Sequence, residues 1–463
     1  MNQTSSRGGA RGRLTLPILP RRHHALLGGT VDYDDCLCAV QHLLDPRKLV
    51  QGESLARYET EFARTIGVKY GISFSSGRVG LYGLLRALGV ETEDEVLLQA
   101  PTHIVVANAI RYTGATPIYV DCLPQNYNMD MADAERKVTP RCKVLLLQHT
   151  FGIPAQLTEA QEFARRHGLV LIEDCVHALG SRFNGRPVGS FGRAAFFSTE
   201  ETKTISTTMG GMVVTDDPQL AEKMREFQAE CAPPPPALAA RYLVKLLMYF
   251  VLGHPWIHYY SRATYELLGK RLPLPRPTVR DELLGLKPWR YEQRLSNAQA
   301  AVGLCQLADL GRIVAHRRSI SEYYHGALGA LGYAVPVLPA GAEPAYVRFP
   351  VWVADRAQLV RLSTSRLVLG TWFTSVLEEA MTPECGGYIK GSCPNAEEAA
   401  RHLVNLPTHP RITAADARDL VALFRSEAMA QAIPVVPVSQ LKGGNEERVP
   451  RRVSEPRAHS PFL

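Results

Sequence analysis

The nine cysteines of this sequence, Cys36, Cys38, Cys122, Cys142, Cys175, Cys231, Cys305, Cys385 and Cys393, lack any spacing that matches a zinc framework, and their number is odd. That absence argues against a disulfide-stapled secreted domain and for a reduced, cytoplasmic interior. Cys385 and Cys393 near His402 come closest to a ligand set, and they read as ordinary side chains, so no metal is expected. The basic N-terminal stretch lacks the apolar core of a signal peptide. No aromatic residues are interleaved with the terminal arginines (Arg7, Arg11, Arg13, Arg21 and Arg22; Arg448, Arg451, Arg452 and Arg457) to stack on bases, so both ends read as solvated tails and no nucleic acid is expected. Much of the formal charge of +7 sits in those ends. Between Arg241 and Pro277 acid is almost missing, and Lys245, His254 and Pro255 break an apolar run that falls short of the ~20 residues a bilayer span needs.

What is present is enough hydrophobic material, 46% of 463 residues against 21% charged, for a sizeable core and two to four units at ~100–200 residues each. Residues 1–30 read as a flexible arm, 31–231 as a large domain, 232–288 as a hydrophobic and basic helical insert, 289–432 as a small α+β domain, and 433–463 as a flexible tail. Within 53–228 helical and strand patterns alternate. Short apolar strands are predicted at Tyr70–Phe74, Val96–Leu98, Ile118–Val120, Val144–Leu147 and Leu169–Ile172. Such alternation implies an α/β fold, a mostly parallel sheet with helices on both faces. Ligands of such sheets sit at the carboxyl ends of the strands, where Asp121, His149 and Asp174 fall. In the second half a long helix is predicted from Asn297 to about Leu328, a strand from Tyr346 to Val353, and helices over Ala357–Leu367, Ala396–Val404 and Ala414–Arg425. The insert, with its apolar, aromatic and basic 241–277, reads either as a helical hairpin packed on the body or on another subunit, or as a peripheral contact with an anionic membrane surface.

The chemistry concentrates in LVLIEDCVHALGSRFNGRPVGSFGRAAFFSTEETKTISTTMGGMVVT, residues 169–215. An acidic pair, Glu173 and Asp174, ends an apolar strand, and one supersecondary unit later Lys203 lies in a polar loop before a Gly-Gly strand. A lysine that can carry an aldehyde covalently and a carboxylate that can keep a pyridine nitrogen protonated are what pyridoxal phosphate chemistry requires. Lys203 would also serve as acid and base. Asp174 could otherwise be a helix cap or an ion-pair partner, and His177 either sits against the cofactor ring or its phenolic oxygen, or is a structural histidine. Ser198 ends an apolar strand, placed to offer its hydroxyl to a phosphate. Gly210 and Gly211 permit a close backbone approach. SSGRVGL, residues 75–81, joins a strand to a helix whose N-terminus could hold phosphate, with Arg78 either adding charge to that phosphate site or pointing to solvent.

These segments, with YETEFARTIGVKYGISFSSG, GATPIYVDCLPQNYNMD and QHTFGIPA before them and SNAQAAVGLCQLADLGRIVAHRRSISEYY and CPNAEEAARHLVNLPTHPRI after, resemble the DegT-type nucleotide-sugar aminotransferases, a branch of the fold-type-I pyridoxal phosphate enzymes. The resemblance covers roughly residues 35–230 and 290–425. It implies Lys203 as the cofactor-bearing lysine, Asp174 as the pyridinium partner, His177 beside the ring, Ser198 at the phosphate, and Ser76 and Gly77 opening the phosphate turn. His103 falls where the family places an aromatic that stacks on the ring. It also implies a homodimer with shared active sites. Four features depart from the family pattern: Arg78 where threonine is usual; Glu292, two residues before Arg294, where an asparagine reaches the partner's phosphate; Glu200 and Glu201 in the lysine loop; and the length and hydrophobicity of 232–288.

The implied function is amino-sugar formation: transfer of an amino group from an amino acid, glutamate by expectation, to a keto sugar, most simply one carried on a nucleotide. Two alternatives stand beside it. One is a sugar dehydratase using the same cofactor, a branch in which histidine replaces the lysine. The other is a non-catalytic cofactor-binding scaffold, supported only by the departures at Arg78 and Glu292.

Overall fold

The protein is described here by a computed structural model covering residues 22–26, 28–268, 278–364 and 366–425. Seven strands form the central sheet: β1 (Tyr70–Phe74), β2 (Glu95–Gln99), β3 (Thr116–Val120), β4 (Cys142–Gln148), β5 (Val170–Asp174), β6 (Ala194–Ser198) and β7 (Gly211–Thr215), in the order β1-β7-β6-β5-β4-β2-β3. The pairings from β6 through β3 are parallel. β7 alone runs antiparallel to its neighbours, β1 and β6. Parallel neighbours need a crossover, usually a helix, whereas antiparallel ones need only a turn or loop. The connection 199–210 contains no helix, so β7 must return beside β6, and Lys203 is left in a loop on the carboxyl rim.

Both faces of the sheet are covered, as expected of buried parallel strands. Ile72, Phe74, Leu98, Ile172, Phe196 and Val213 belong to one core cluster, which includes residues of helices Gly77–Ala87, Ile104–Arg111 and Pro218–Glu230. Their sequence neighbours Leu97, Leu171, Phe197 and Met212 face the other way, into a cluster with helices Ser54–Ile66, Leu157–His167 and Asn297–Ala308.

The C-terminal half differs in detail from the sequence expectation. The predicted long helix is two helices, Asn297–Ala308 and Leu310–Ala330, meeting at Asp309. The helix expected over 396–404 stops at His402, and Leu403–Pro407 is a strand pairing antiparallel with Arg348–Trp352. Leu403, Val404 and Leu406 are buried there, and a paired strand satisfies the backbone groups that burial would otherwise strand.

Residues 22–30, expected as the end of a flexible arm, are packed wherever described. His23 N–H donates to Pro255 O, His24 N–H donates to Arg366 O, and Arg22 pairs with Asp416 at 2.8 Å. The rest of the arm, 1–21, and the tail at 433–463 lie outside the described residues. The described part of the insert holds the helices Pro236–Leu252, His258–Leu268 and the short Arg280–Leu283. Ala239, Leu243 and Leu246 share a buried cluster with Cys36 and Ala39 of helix Tyr33–Leu44 and with Val302. Among the described residues no helix is long and apolar enough to cross a membrane.

Candidate active site

Strand alternation separates the acidic pair. Glu173 points into the protein, where its carboxylate accepts N–H bonds from Gly189, Phe191 and Gly192 and faces His149 Nε2 at 3.1 Å. His149 Nδ1 accepts from Ala155 N–H, so Nε2 is the side that donates to Glu173. Asp121 is likewise structural, accepting from the N–H groups of Cys122, Asn395 and Ala396. Of the three rim residues, Asp174 is the one whose charge reaches Lys203. The one metal-like cluster among the described residues, His149, Glu173 and Cys175, is this same filled network. Cys385, Cys393 and His402 are not gathered together.

Asp174 is 1% exposed and accepts a hydrogen bond from Val176 N–H at 3.1 Å. Burial raises its carboxyl to about 6, against the opposing pull of the Val176 N–H, Lys203 and His149. Lys203, partly buried in the β6–β7 loop, is held down to about 8. Burial is the largest cause, Glu200 and Asp174 pull the other way, and Arg348 and Arg78 add to the lowering. Its Nζ lies 4.5 Å above the centroid of the Trp372 ring. His177 is buried, its ring parallel to that of Phe151 and 4.8 Å from that of Trp372. Burial, then Lys203, Arg348 and His103, push its pKa well below the ordinary value, so it is neutral. Its Nδ1 has no hydrogen-bond partner.

The phosphate turn is assembled by close packing. Ser76 is the N-cap of helix Gly77–Ala87 without a side-chain capping bond, which leaves the first N–H groups of the helix for an anion. Ser198, opposite Gly211 in the β6–β7 register, lies nearby, its Oγ accepting from Glu200 N–H at 3.4 Å. A Cβ on Gly211 would come 2.3 Å from Gly77 N, so only glycine lets β7 pass beneath the turn. Arg78, expected at the phosphate or in solvent, is directed elsewhere: its Nη1 lies 2.6 Å from both oxygens of Glu282. His103 caps helix Ile104–Arg111 through Nδ1, and its Nε2 faces Glu379 at 3.4 Å. The aromatic surface against Lys203 and His177 belongs instead to Trp372.

Three of the charged departures from the family pattern, Arg78, Glu201 and Glu292, are matched within the insert. Arg78 pairs with Glu282. Glu292 is met by Lys287 at 2.5 Å. Glu201, two residues before Lys203, is buried against Lys245 at 2.5 Å and accepts from Tyr249 Oη at 2.8 Å. Thr208 Oγ1 adds a bond to Tyr242 O. The insert helix therefore buttresses the lysine loop. Removing one partner of a buried pair costs about 3–5 kcal/mol. Lys245→Met is expected to destabilise the protein by that order in denaturant unfolding, and Glu201→Gln added to it should recover part of the loss. Independent, additive effects of the two changes would refute the pairing.

Sequence reasoning missed Arg348 and Trp372. Arg348 is 6% exposed, with Cζ 4.3 Å from the Trp372 ring. Nothing local in AYVRFPVWV or LGTWFTS marks either residue. Four non-glycine residues around the site carry positive φ: Phe151 (57°), Thr208 (69°), Tyr346 (45°) and Glu379 (64°). Such conformations cost ~1–3 kcal/mol each and concentrate where a site dictates the backbone.

A neutral buried histidine with an orphaned nitrogen, a desolvated carboxyl within electrostatic reach of a lysine of lowered pKa, and a helix start with free N–H groups fit pyridoxal phosphate. The fold and site define a pyridoxal phosphate-dependent transferase on a mostly parallel sheet. The comparisons agree. The chain belongs to the DegT/DnrJ/EryC1/StrS aminotransferase family, whose profile matches residues 32–252 and 270–425, and it is a pyridoxal phosphate-dependent aminotransferase. The unmatched 253–269 falls inside the insert. The chain is 31% identical to a GDP-perosamine synthase of Escherichia coli O157:H7 over 61% of its own length and 65% of that protein. A GDP-perosamine synthase of Caulobacter vibrioides is 29% identical over 80% of this chain and 89% of its own length. The solved structure of S. venezuelae DesV in complex with a ketimine intermediate matches with a TM-score of 0.65 and 26% identity, covering 88% of this chain and 98% of that one.

Proposed function

We propose that this enzyme transfers an amino group from an amino acid, glutamate in the simplest case, to a keto sugar carried on a nucleotide. The observation that carries the reading is Lys203, its amine held down to about 8, within electrostatic reach of the desolvated carboxyl of Asp174. Relatives named as nucleotide-sugar aminotransferases support the acceptor class. When bound, pyridoxal phosphate supplies an aldehyde that takes up amines and a ring that draws electrons from the carbon being deprotonated. Lys203 Nζ holds that aldehyde and, once displaced, moves a proton at the substrate carbon. Asp174 presents its carboxylate to the ring nitrogen, and that cation would draw its pKa back down. His177 offers Nδ1 to the ring or its phenolic oxygen, with His103 close by. Ser76, Gly77 and Ser198 receive the phosphate.

Lys203 favours transamination over dehydration. The scaffold reading loses its support, because Arg78 and Glu292 are neutralised by Glu282 and Lys287. Purified protein loaded with cofactor is expected to be yellow and to bleach with glutamate, and keto sugar nucleotides should then restore the colour. Colour that persists with every amino donor would refute the reading.

We propose further that the enzyme is a cytoplasmic homodimer whose sites are completed by the partner chain, and sedimentation as a monomer would refute this. The outer face of the insert exposes Val244, Met248, Val251 and Trp256, with Arg241 exposed beside them. It is the proposed peripheral membrane contact. Flotation with anionic liposomes at low salt tests it, and failure to float would leave that face to a second copy of the chain.

A further inference from the structure

We infer that Arg348 binds the carboxylate of the amino donor, an inference that rests on the aminotransferase reading. Arg348 opens strand Arg348–Trp352 and is more than nine-tenths buried. Its guanidinium lies over the same Trp372 ring as the Lys203 amine, the two within 4.5 Å of one centroid. It lines the cleft together with Lys203, Thr202 and Arg317.

Among the described residues no carboxylate comes within ion-pair distance of Arg348. The two acids whose charge reaches it are engaged with other donors. Glu200 accepts from Thr202 N–H at 3.1 Å and from Thr202 Oγ1 at 2.6 Å. Glu378 accepts from Thr374 N–H at 2.5 Å and from Thr374 Oγ1 at 3.0 Å. Arg317, on the same wall, is partly committed: its Nη1 donates to Val347 O at 2.9 Å and to Thr408 Oγ1 at 2.8 Å, while its buried Nε has no partner. Arg348 is therefore a desolvated guanidinium on the cleft wall with no hydrogen-bond acceptor among the described residues. A buried charge with no partner is costly, and a guanidinium matches a carboxylate through two parallel N–H bonds.

The position selects among anions. The cofactor phosphate has the Ser76–Gly77 helix start. In a nucleotide-linked sugar the diphosphate hangs from the anomeric carbon, apart from the keto carbon. In an amino acid the carboxylate is bonded to the carbon that bears the reacting amine. An anion site beside the Lys203 amine suits the last of these.

The test uses cofactor-loaded enzyme and glutarate, a dicarboxylate with no amine to transfer. Binding is measured calorimetrically in wild type, Arg348→Met and Arg348→Lys. A charge-assisted hydrogen-bonded contact corresponds to roughly 10–150-fold in affinity. Arg348→Met is expected to weaken glutarate by about that factor, Arg348→Lys by less, and the KM for glutamate should rise in step while cofactor affinity is unchanged. Unchanged glutarate affinity in Arg348→Met overturns the inference. So does a fall in cofactor affinity as large as the fall in glutarate affinity, which would assign Arg348 to the phosphate. Should Arg348→Met fail to fold, Arg348→Lys decides by the same readings. Wild type that transaminates no donor refutes the proposed function instead, a result separate from either.

Discussion

Lys203→Ala is expected to abolish uptake of cofactor as a coloured adduct and to lower transamination by at least about 10³-fold, since proton transfer alone contributes ~10²–10⁴-fold. The covalent hold is lost as well. The fold should survive, because Lys203 sits in a loop, and truncation removes a charge that burial disfavours. The wild-type pH dependence makes the same point. With the amine at about 8 instead of its ordinary 10.5, the neutral, nucleophilic form grows about tenfold per pH unit below 8 and levels above it. Capture of the aldehyde by cofactor-free protein, followed spectroscopically, should trace that curve. A rate still climbing at pH 10 would show that the amine is not desolvated. The sign for stability follows from linkage. A lysine whose folded pKa is depressed penalises the folded state below about pH 8, and this penalty is relieved as pH rises from 8 toward 10.5.

Asp174→Asn is the second large effect. The amide has the same shape but no charge, so it cannot keep a ring nitrogen protonated. The lost charge-assisted contact corresponds to roughly 10–150-fold, and its burial at 1% exposure places the expected fall in kcat at the upper end, about 10²-fold, with cofactor still held by Lys203 and the phosphate turn. Cofactor-free protein should show the opposite response in stability. A carboxyl whose folded value is raised to about 6 contributes stability below its unfolded value, near 4, that is lost as pH rises through 6. At 1.36 kcal/mol per unit this amounts to about 3 kcal/mol. Asp174→Asn should therefore be more stable than wild type above pH 6, measured by thermal unfolding without cofactor. Equal stabilities would mean that the carboxylate is solvated.

The insert bears on how far a family pattern can be read along the chain. Arg78, Glu201 and Glu292 look anomalous one at a time, because each places a charge where the family has none. Their partners Glu282, Lys245 and Lys287 all lie in the segment that also departs from the pattern. Arg78 and Glu282 are 204 residues apart, and no local rule connects them. His103 shows the reverse case: it caps helix Ile104–Arg111 through Nδ1, and the aromatic ring against Lys203 and His177 is that of Trp372, far along the chain.

Short apolar strands alternating with amphipathic helices were legible directly, since a parallel strand buried on both faces must be apolar along its length. So was the rim position of Asp174, and so was the loop lysine, because their order along one supersecondary unit encodes their proximity. Local patterning could not reveal the reversal of β7, the burial of residues 22–30, the division of Glu173 from Asp174 into a carboxylate held by the backbone and one whose charge reaches Lys203, or Arg348 over Trp372. Those features depend on which side chains meet across the sheet and across the two halves of the chain. Desolvation, the cause that moves Asp174, His177 and Lys203 toward their proposed tasks, exists only once those surfaces have closed around them.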